Sequence, residues 1–321
     1  MSRTPVSLTR LTDYDDARVA AALSRHIELL GGLDRFVKPG DSVLLKPNFI
    51  APRSRRHAAQ THPAVLLALA SLLKDYGARP FVADSPAWSN VRTCVKALRL
   101  DEPLDRLGVP VFQLDNPRWL RLEKLDVKVG LSARALDVDV IINLPKFKSH
   151  QQLVATFAVK NMFGCVSGKH KALWHFRKGR DPLDFCTLLI EIYKTLAPAL
   201  TIIDGVLAMD GQGPIHGRTR PLGWLIGGTD PIACERICCK LIGFEPDDLP
   251  MLRAAKAVGY GCPDLESLDL LGDPPPEAPC RDFQPARLTP LRFSLPHVCR
   301  SVARQAVLLL KPDRTQRPPS K

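Results

Sequence analysis

The stretch VDVIINLPKFKSHQQLVATFAVKNMFGCVSGKHKALWH, residues 138–175, decides the fold. Its first part, Val138 to Leu144, is nearly all β-branched or apolar, the composition of a strand buried on both faces of a sheet. Pro145 closes that strand. Behind it Lys146, Lys148, His150, Lys160, Asn161, Lys169, His170, Lys171 and His175 follow in quick succession, with Gly164 and Gly168 among them. Cations and amides this dense beside an apolar run each need water or a partner. The segment therefore reads as an anion-binding and catalytic stretch at the end of a central strand.

Outward from it, strands are expected at Val6 to Leu8, Ser42 to Lys46, Arg79 to Ala83, Val109 to Leu114, Ala199 to Ile203 and Leu222 to Gly227. Helices are expected from Asp15 or Asp16 to Leu30, from Pro63 to Tyr76, from Cys94 to Leu100, from Leu183 to Leu196 and from Pro231 to Ile242. LEKLDVKVG, residues 122–130, alternates as a hairpin or edge strand does. Alternation of this kind implies an α/β fold with a mostly parallel sheet flanked by helices. In such sheets ligands gather beyond the carboxyl ends of the strands. Five strand ends, at Lys46-Pro47-Asn48, Asp84-Ser85, Asn143 to Lys146, Asp204-Gly205 and Thr229-Asp230, are expected to face one cleft.

The body is expected over residues 1–272, with room for two interleaved subdomains. A proline linker, 273–280, then leads to a basic tail, 281–321, in which 296–311 can form an amphipathic helix. The tail holds nine basic residues against Asp282 and Asp313, so it supplies +7 of the net charge of +12. The body is only mildly basic, and with aromatics at 6% and not interleaved with the cations, nucleic acid ranks last among partners. The tail is a candidate contact for a membrane surface or another protein. No two of the nine cysteines make a C-x-x-C pair, and no apolar leader or long apolar run is present, which points to reduced thiols and a cytoplasmic location.

Lysines at strand ends supply charge where backbone N–H groups also converge. Lys46 and Lys146 are therefore read as ligands for a carboxylate or phosphate, with the amides of Asn48, Asn143 and Asn161 and the turns at Gly164 and Gly213. Lys148, Lys160 and His150 are the catalytic candidates: a lysine between apolar neighbours loses basicity, and histidine titrates near neutrality. Asp204 also serves the ligand, and with Asp210 and Glu235 it forms a candidate set for a divalent cation such as Mg²⁺. Capping is the competing reading for the asparagines and for Asp230, and for Asp230 it is preferred. Cys234 and Cys238 read as core residues, and Cys165 as the one thiol to watch.

KPNFI at Lys46, INLPKFKSH ending at His150, AVKNMFG at Ala158, TIIDGVLAMDGQGPIHG at Thr201 and TDPIACERICCKLIG at Thr229 occur here in that order. On these motifs the chain resembles the domain-of-unknown-function family 362, over roughly Val43 to Gly272. The resemblance implies no assigned reaction. Many such proteins carry a ferredoxin-like segment with cysteines for four-iron clusters; this chain has no such motif, and Glu235 stands where the family usually has aspartate. The expectation is thus an enzyme of unassigned reaction and unassigned cofactor, acting on an anionic small molecule. A redox protein relying on an electron-transfer partner's cluster and a binding protein tethered by its tail are the other two readings.

Overall fold

The computed structural model describes residues 3–288 apart from 88, 169 and 263. The strands are β1 (Thr4–Arg10), β2 (Ser42–Pro47), β3 (Arg79–Asp84), β4 (Val111–Gln113), β5 (Pro117–Leu122), β6 (Val127–Ser132), β7 (Val140–Leu144), β8 (Lys146–His150), β9 (Val154–Thr156), β10 (Leu200–Asp210), β11 (Arg218–Gly228) and β12 (Leu268–Gly272). The helices are α1 (Asp16–Leu29), α2 (Pro63–Asp75), α3 (Val91–Ala97), α4 (Asp101–Arg106), α5 (Ala133–Leu136), α6 (His170–Lys178), α7 (Pro182–Leu196), α8 (Pro231–Ile242) and α9 (Pro250–Val258).

The main sheet runs β12-β1-β11-β10-β7-β2-β3-β4, and only β11 along that path opposes its neighbours. This is the mostly parallel α/β sheet expected. Successive residues of the central strands enter opposite cores: Leu44, Ile141 and Ile203 pack on one face, Val43, Ile142 and Ile202 on the other. Period-two alternation with both faces apolar is what a helix-covered sheet requires. Residues of α1 to α4 build the second core; those of α7, α8 and α9 build the first. β5 and β6 form the separate hairpin foreseen at 122–130.

Three departures from the sequence reading matter for the site. β10 does not stop at Ile203 but continues to Asp210, because Asp204 and Gly205 stay paired with Leu225 and Trp224 and the bulge falls after them, between Gly205 and Leu207. A Cβ on Gly205 would lie 2.9 Å from the Trp224 carbonyl oxygen, so glycine lets the two strands stay paired there. β11, running antiparallel, carries Thr229-Asp230 to the opposite edge of the sheet. Asp230 caps α8 through the Ile232 and Ala233 N–H groups and takes no part in the cleft. Finally, the helix expected from Cys94 begins at Val91, capped by Asn90, and is broken after Ala97, with Arg99 left-handed at φ 57°.

The chain does not leave the body at the prolines. Phe283 is buried, with its ring 5.8 Å from Phe147 and 5.9 Å from Phe244, and Ala286 is buried beyond it. Gly211 N–H donates to the Gln284 carbonyl at 2.8 Å, and Arg220 pairs with Asp282 at 2.8 Å. The expected tail helix, 296–311, lies outside the described residues. Phe283→Ala should cost about 3 kcal/mol in a urea titration, the usual loss for truncating a buried aromatic. An unchanged midpoint would place this segment outside the cooperative core.

Candidate functional site

Pro145 interrupts what is otherwise one long strand. β7 pairs with the start of β10, then β8 continues beside the same β10, with Lys146 opposite Asp204. The Pro145 carbonyl accepts from Asp204 N–H at 2.9 Å, so the break is stitched to β10 and not left open. On β8, Lys146, Lys148 and His150 share one face by the strand period, while Phe147 faces the core. The carboxyl ends of β2, β3 and β7 lie beside it, and they bring Lys46, Asp84 and Asn143 to the same edge.

Two ion pairs are buried there. Lys46, fully buried, meets Asp84 at 2.7 Å and also donates to the Pro47 carbonyl. Asp84 accepts in addition from the Phe49 and Ser85 N–H groups. Gly164 packs on this pair: a Cβ would come within 2.5 Å of Asp84 Oδ1 and 2.7 Å of Lys46 Nζ. Glycine here makes room for the ion pair, which is a different use from the ligand turn expected of it.

In the second pair Lys146 donates to Asp204 at 2.7 Å and to the Tyr14 hydroxyl at 2.8 Å. Tyr14 donates to the other Asp204 oxygen at 2.6 Å, and His62 N–H adds a further donor at 2.9 Å. Burial, then the Asp204 charge, hold the Tyr14 phenol well above its ordinary pKa. Burial lowers the Lys146 ammonium, opposed by Asp204. The His62 ring stacks on Tyr14 at 3.5 Å, and burial lowers its pKa to about 4.

The asparagines form a relay between these groups. Lys148 Nζ donates to Asn48 Oδ1 and to the Ala59 carbonyl. The Asn48 amide donates to Asn161 Oδ1 at 2.8 Å, Asn161 to Asn143 Oδ1 at 2.8 Å, and Asn143 to Thr201 Oγ1 at 3.2 Å. Asn143 and Asn161 also donate to the Ala158 and Lys46 carbonyls. Both amides are thus consumed inside the protein, and they position Asn48 and Lys148 instead of reaching a ligand as the sequence reading had it.

The remaining cations at this edge have no ion pair with a carboxylate among the described residues. Lys148 donates only to neutral oxygens, and burial, with Lys160 next, lowers its pKa to about 7. Lys171, on α6, donates to the Ser85 carbonyl, and burial lowers it to about 7. Lys160 has no hydrogen-bond partner among the described residues. Its ammonium lies 5.5 Å from the Phe163 ring centroid, and burial lowers its pKa to about 8.

His150 is held neutral, well below its usual pKa, by burial and then by Lys160. Its Nδ1 accepts from Gln152 N–H at 3.2 Å, which leaves the proton on Nε2 and makes the ring a donor. His175 packs against Phe163 and Phe185, and burial takes it to about 3.

The three carboxylates proposed for a cation are not brought together. Asp204 serves Lys146 and Tyr14. Asp210 is held by Arg220 at 2.7 Å and by Arg218 at 3.3 Å. Glu235, raised to about 7 by burial, accepts from Val159 N–H at 2.8 Å at the start of the 3-10 turn Val159–Cys165. Among the described residues no group of three His, Cys, Asp or Glu side chains could hold a metal ion.

Gly213 is buried against Ser149, where a Cβ would sit 2.0 Å from the carbonyl oxygen; close packing, and not ligand approach, calls for glycine there. Cys165 is buried, with its thiol raised to about 12, the opposite of a reactive thiol, and Cys234 and Cys238 are core residues as read.

Sequence reasoning placed Asp84 at a strand end facing the cleft and Lys171 in the basic stretch without giving either a role, and it passed over Tyr14 and His62. Asp84 ends a parallel strand next to Lys46, which is a usable signal. Tyr14 stands 190 positions before Asp204 and carries none.

A strand-edge site of this build, with buried lysines on a parallel sheet, defines an α/β protein with a cationic polar centre. The chain belongs to the family described as Domain of unknown function (DUF362), whose model matches residues 43–240. It is 37% identical over 297 residues to a thylakoid-associated protein of Synechocystis sp., covering 92% of both chains. Among solved structures it is similar to the lactate racemase apoprotein of Thermoanaerobacterium thermosaccharolyticum, with a TM-score of 0.48 and 10% identity, over 75% of this chain and 57% of that one. It is also similar to a Thermotoga maritima protein, with a TM-score of 0.42 and 12% identity, over 73% and 60%. The chain thus spans less than two thirds of either solved protein. No described helix is long and apolar enough to cross a membrane.

Proposed function

We propose that this protein is an enzyme that binds a small molecule carrying a phosphate or carboxylate group at the Asp84 cluster and moves a proton on it. One observation carries the reading: Lys148 and Lys171 each lie in electrostatic reach of Lys46, Lys160 and Asp84, and the ion pair found among these groups is Lys46 with Asp84. Buried charge without a counterion is costly, and here the cost is met by lowering the lysine pKa values. An incoming anion supplies the missing charge, and amines that titrate between about 7 and 8 can take or give a proton at neutral pH. Lys148, fixed by the asparagine relay, binds; Lys160, without a hydrogen-bond partner among the described residues and next to the neutral His150, is the proton carrier.

Titration calorimetry with phosphate, pyrophosphate and small dicarboxylates tests this. At least one anion should bind, and Lys148→Met and Lys160→Met should each weaken it by about tenfold or more, the worth of a charge-assisted contact. Binding that is unchanged in both variants, or no binding by any anion, would overturn the assignment. The described cysteines are all free thiols, which supports a cytoplasmic place of action.

A further inference from the structure

Helix α6 has two faces of opposite chemistry. Its inner face closes the cation cluster: Lys171 reaches the Ser85 carbonyl, Trp174 is buried and His175 packs on Phe163. Its outer face carries Leu173 and Phe176, 38% and 46% exposed, three residues apart and so side by side on the helix. Beside them Trp119 of the β5–β6 hairpin is 51% exposed and meets His170 of α6 edge-on at 4.7 Å. Three of the five large hydrophobic side chains exposed among the described residues therefore gather in one ridge.

Cations flank the ridge. Arg121 and Lys128 are cross-strand partners, and they lie on the same side of the hairpin as Trp119. Arg121 is paired with Asp126 and Glu123, while Lys128 and Arg177 have no acidic partner among the described residues. An apolar ridge of Trp, Leu and Phe between unpaired basic side chains has the chemistry of a bilayer interface. Apolar groups enter the acyl boundary, the indole settles at headgroup depth and the cations remain with anionic headgroups.

We propose that the outer face of α6, together with Trp119, docks on the surface of an anionic lipid bilayer. The ridge projects outward on a helix, as a planar surface requires, and its surplus positive charge selects the sign of that surface. This docking is independent of what the cleft binds, and of the tail.

The test uses the full chain with vesicles of phosphatidylcholine, with and without phosphatidylglycerol, the acyl chains being brominated. The chain has four tryptophans, and the part of the quenching that vanishes in Trp119→Phe reports Trp119 at the bilayer, whatever the other three contribute. Binding and Trp119-dependent quenching are expected only with phosphatidylglycerol present. Leu173→Ser with Phe176→Ser should weaken vesicle affinity about tenfold or more. Vesicle binding without Trp119 quenching would assign the contact to another segment, such as the tail, and overturn the proposal. So would equal binding to phosphatidylcholine alone, binding only to an acidic protein, or no vesicle binding.

Discussion

Asp84→Asn should destabilise the protein by about 3–5 kcal/mol, the cost of leaving a buried ammonium without its partner. Lys46 is fully buried and meets Asp84 at 2.7 Å; its other acceptor is the neutral Pro47 carbonyl. Asparagine keeps the shape but only one acceptor oxygen, whereas the Phe49 N–H donates to Oδ2 and the Ser85 N–H to Oδ1, so the loss combines the charge with one backbone hydrogen bond. Adding Lys46→Met removes the orphaned charge and should recover most of the stability, because an apolar side chain of similar volume suits a buried site. Urea unfolding of the two single variants and the double variant closes the cycle. A double variant no more stable than Asp84→Asn would show that the aspartate acts through its backbone contacts, and not through Lys46.

The same pair shows how much of the site was legible. Val138 to Leu144 announced a doubly buried strand, and the parallel order of β2, β3 and β7 follows from the βα alternation around it. That order places Lys46, Asn143 and Lys146 at one edge, where they were expected. What spacing does not encode is which neighbour neutralises which lysine. The sequence reading counted Lys46 and Lys146 as free to bind an anion, yet the fold spends them on Asp84 and Asp204. It read Asp204-Gly205 as a turn, because what lets β10 run on is the close approach of Gly205 to the Trp224 carbonyl on the neighbouring strand. It took the proline run for an exit, because the pocket that Phe283 fills is formed by Phe147 and Phe244 from distant parts of the chain. Contacts of this range leave no periodic trace.

The lysines that remain unpaired make a pH prediction with two opposite signs. Lys148 and Lys171 titrate near about 7 and Lys160 near about 8 in the fold, against 10.5 as the ordinary value. In the free protein each is charged below its folded pKa and neutral above it, whereas the unfolded chain stays protonated up to 10.5. Between these limits the unfolded state binds more protons. Stability therefore rises with pH, by up to about 1.4 kcal/mol per pH unit for each neutral lysine. Anion affinity runs the other way. A bound phosphate or carboxylate favours the ammonium forms, so binding takes up protons and weakens above pH 7, with a fall of about tenfold per pH unit for each lysine that must be recharged. From pH 6 to pH 9 the expected loss is on the order of a hundredfold for each recharged amine that begins to lose its charge at about 7, as Lys148 and Lys171 do. Calorimetry at one pH in buffers of different ionisation heat should count at least one proton taken up at pH 8. Unfolding curves without ligand should show the protein gaining stability over the same interval. If affinity and stability rose together with pH, the cluster would not be a set of desolvated amines waiting for a counterion. Zero proton uptake alongside tight binding would place the anion elsewhere on the protein.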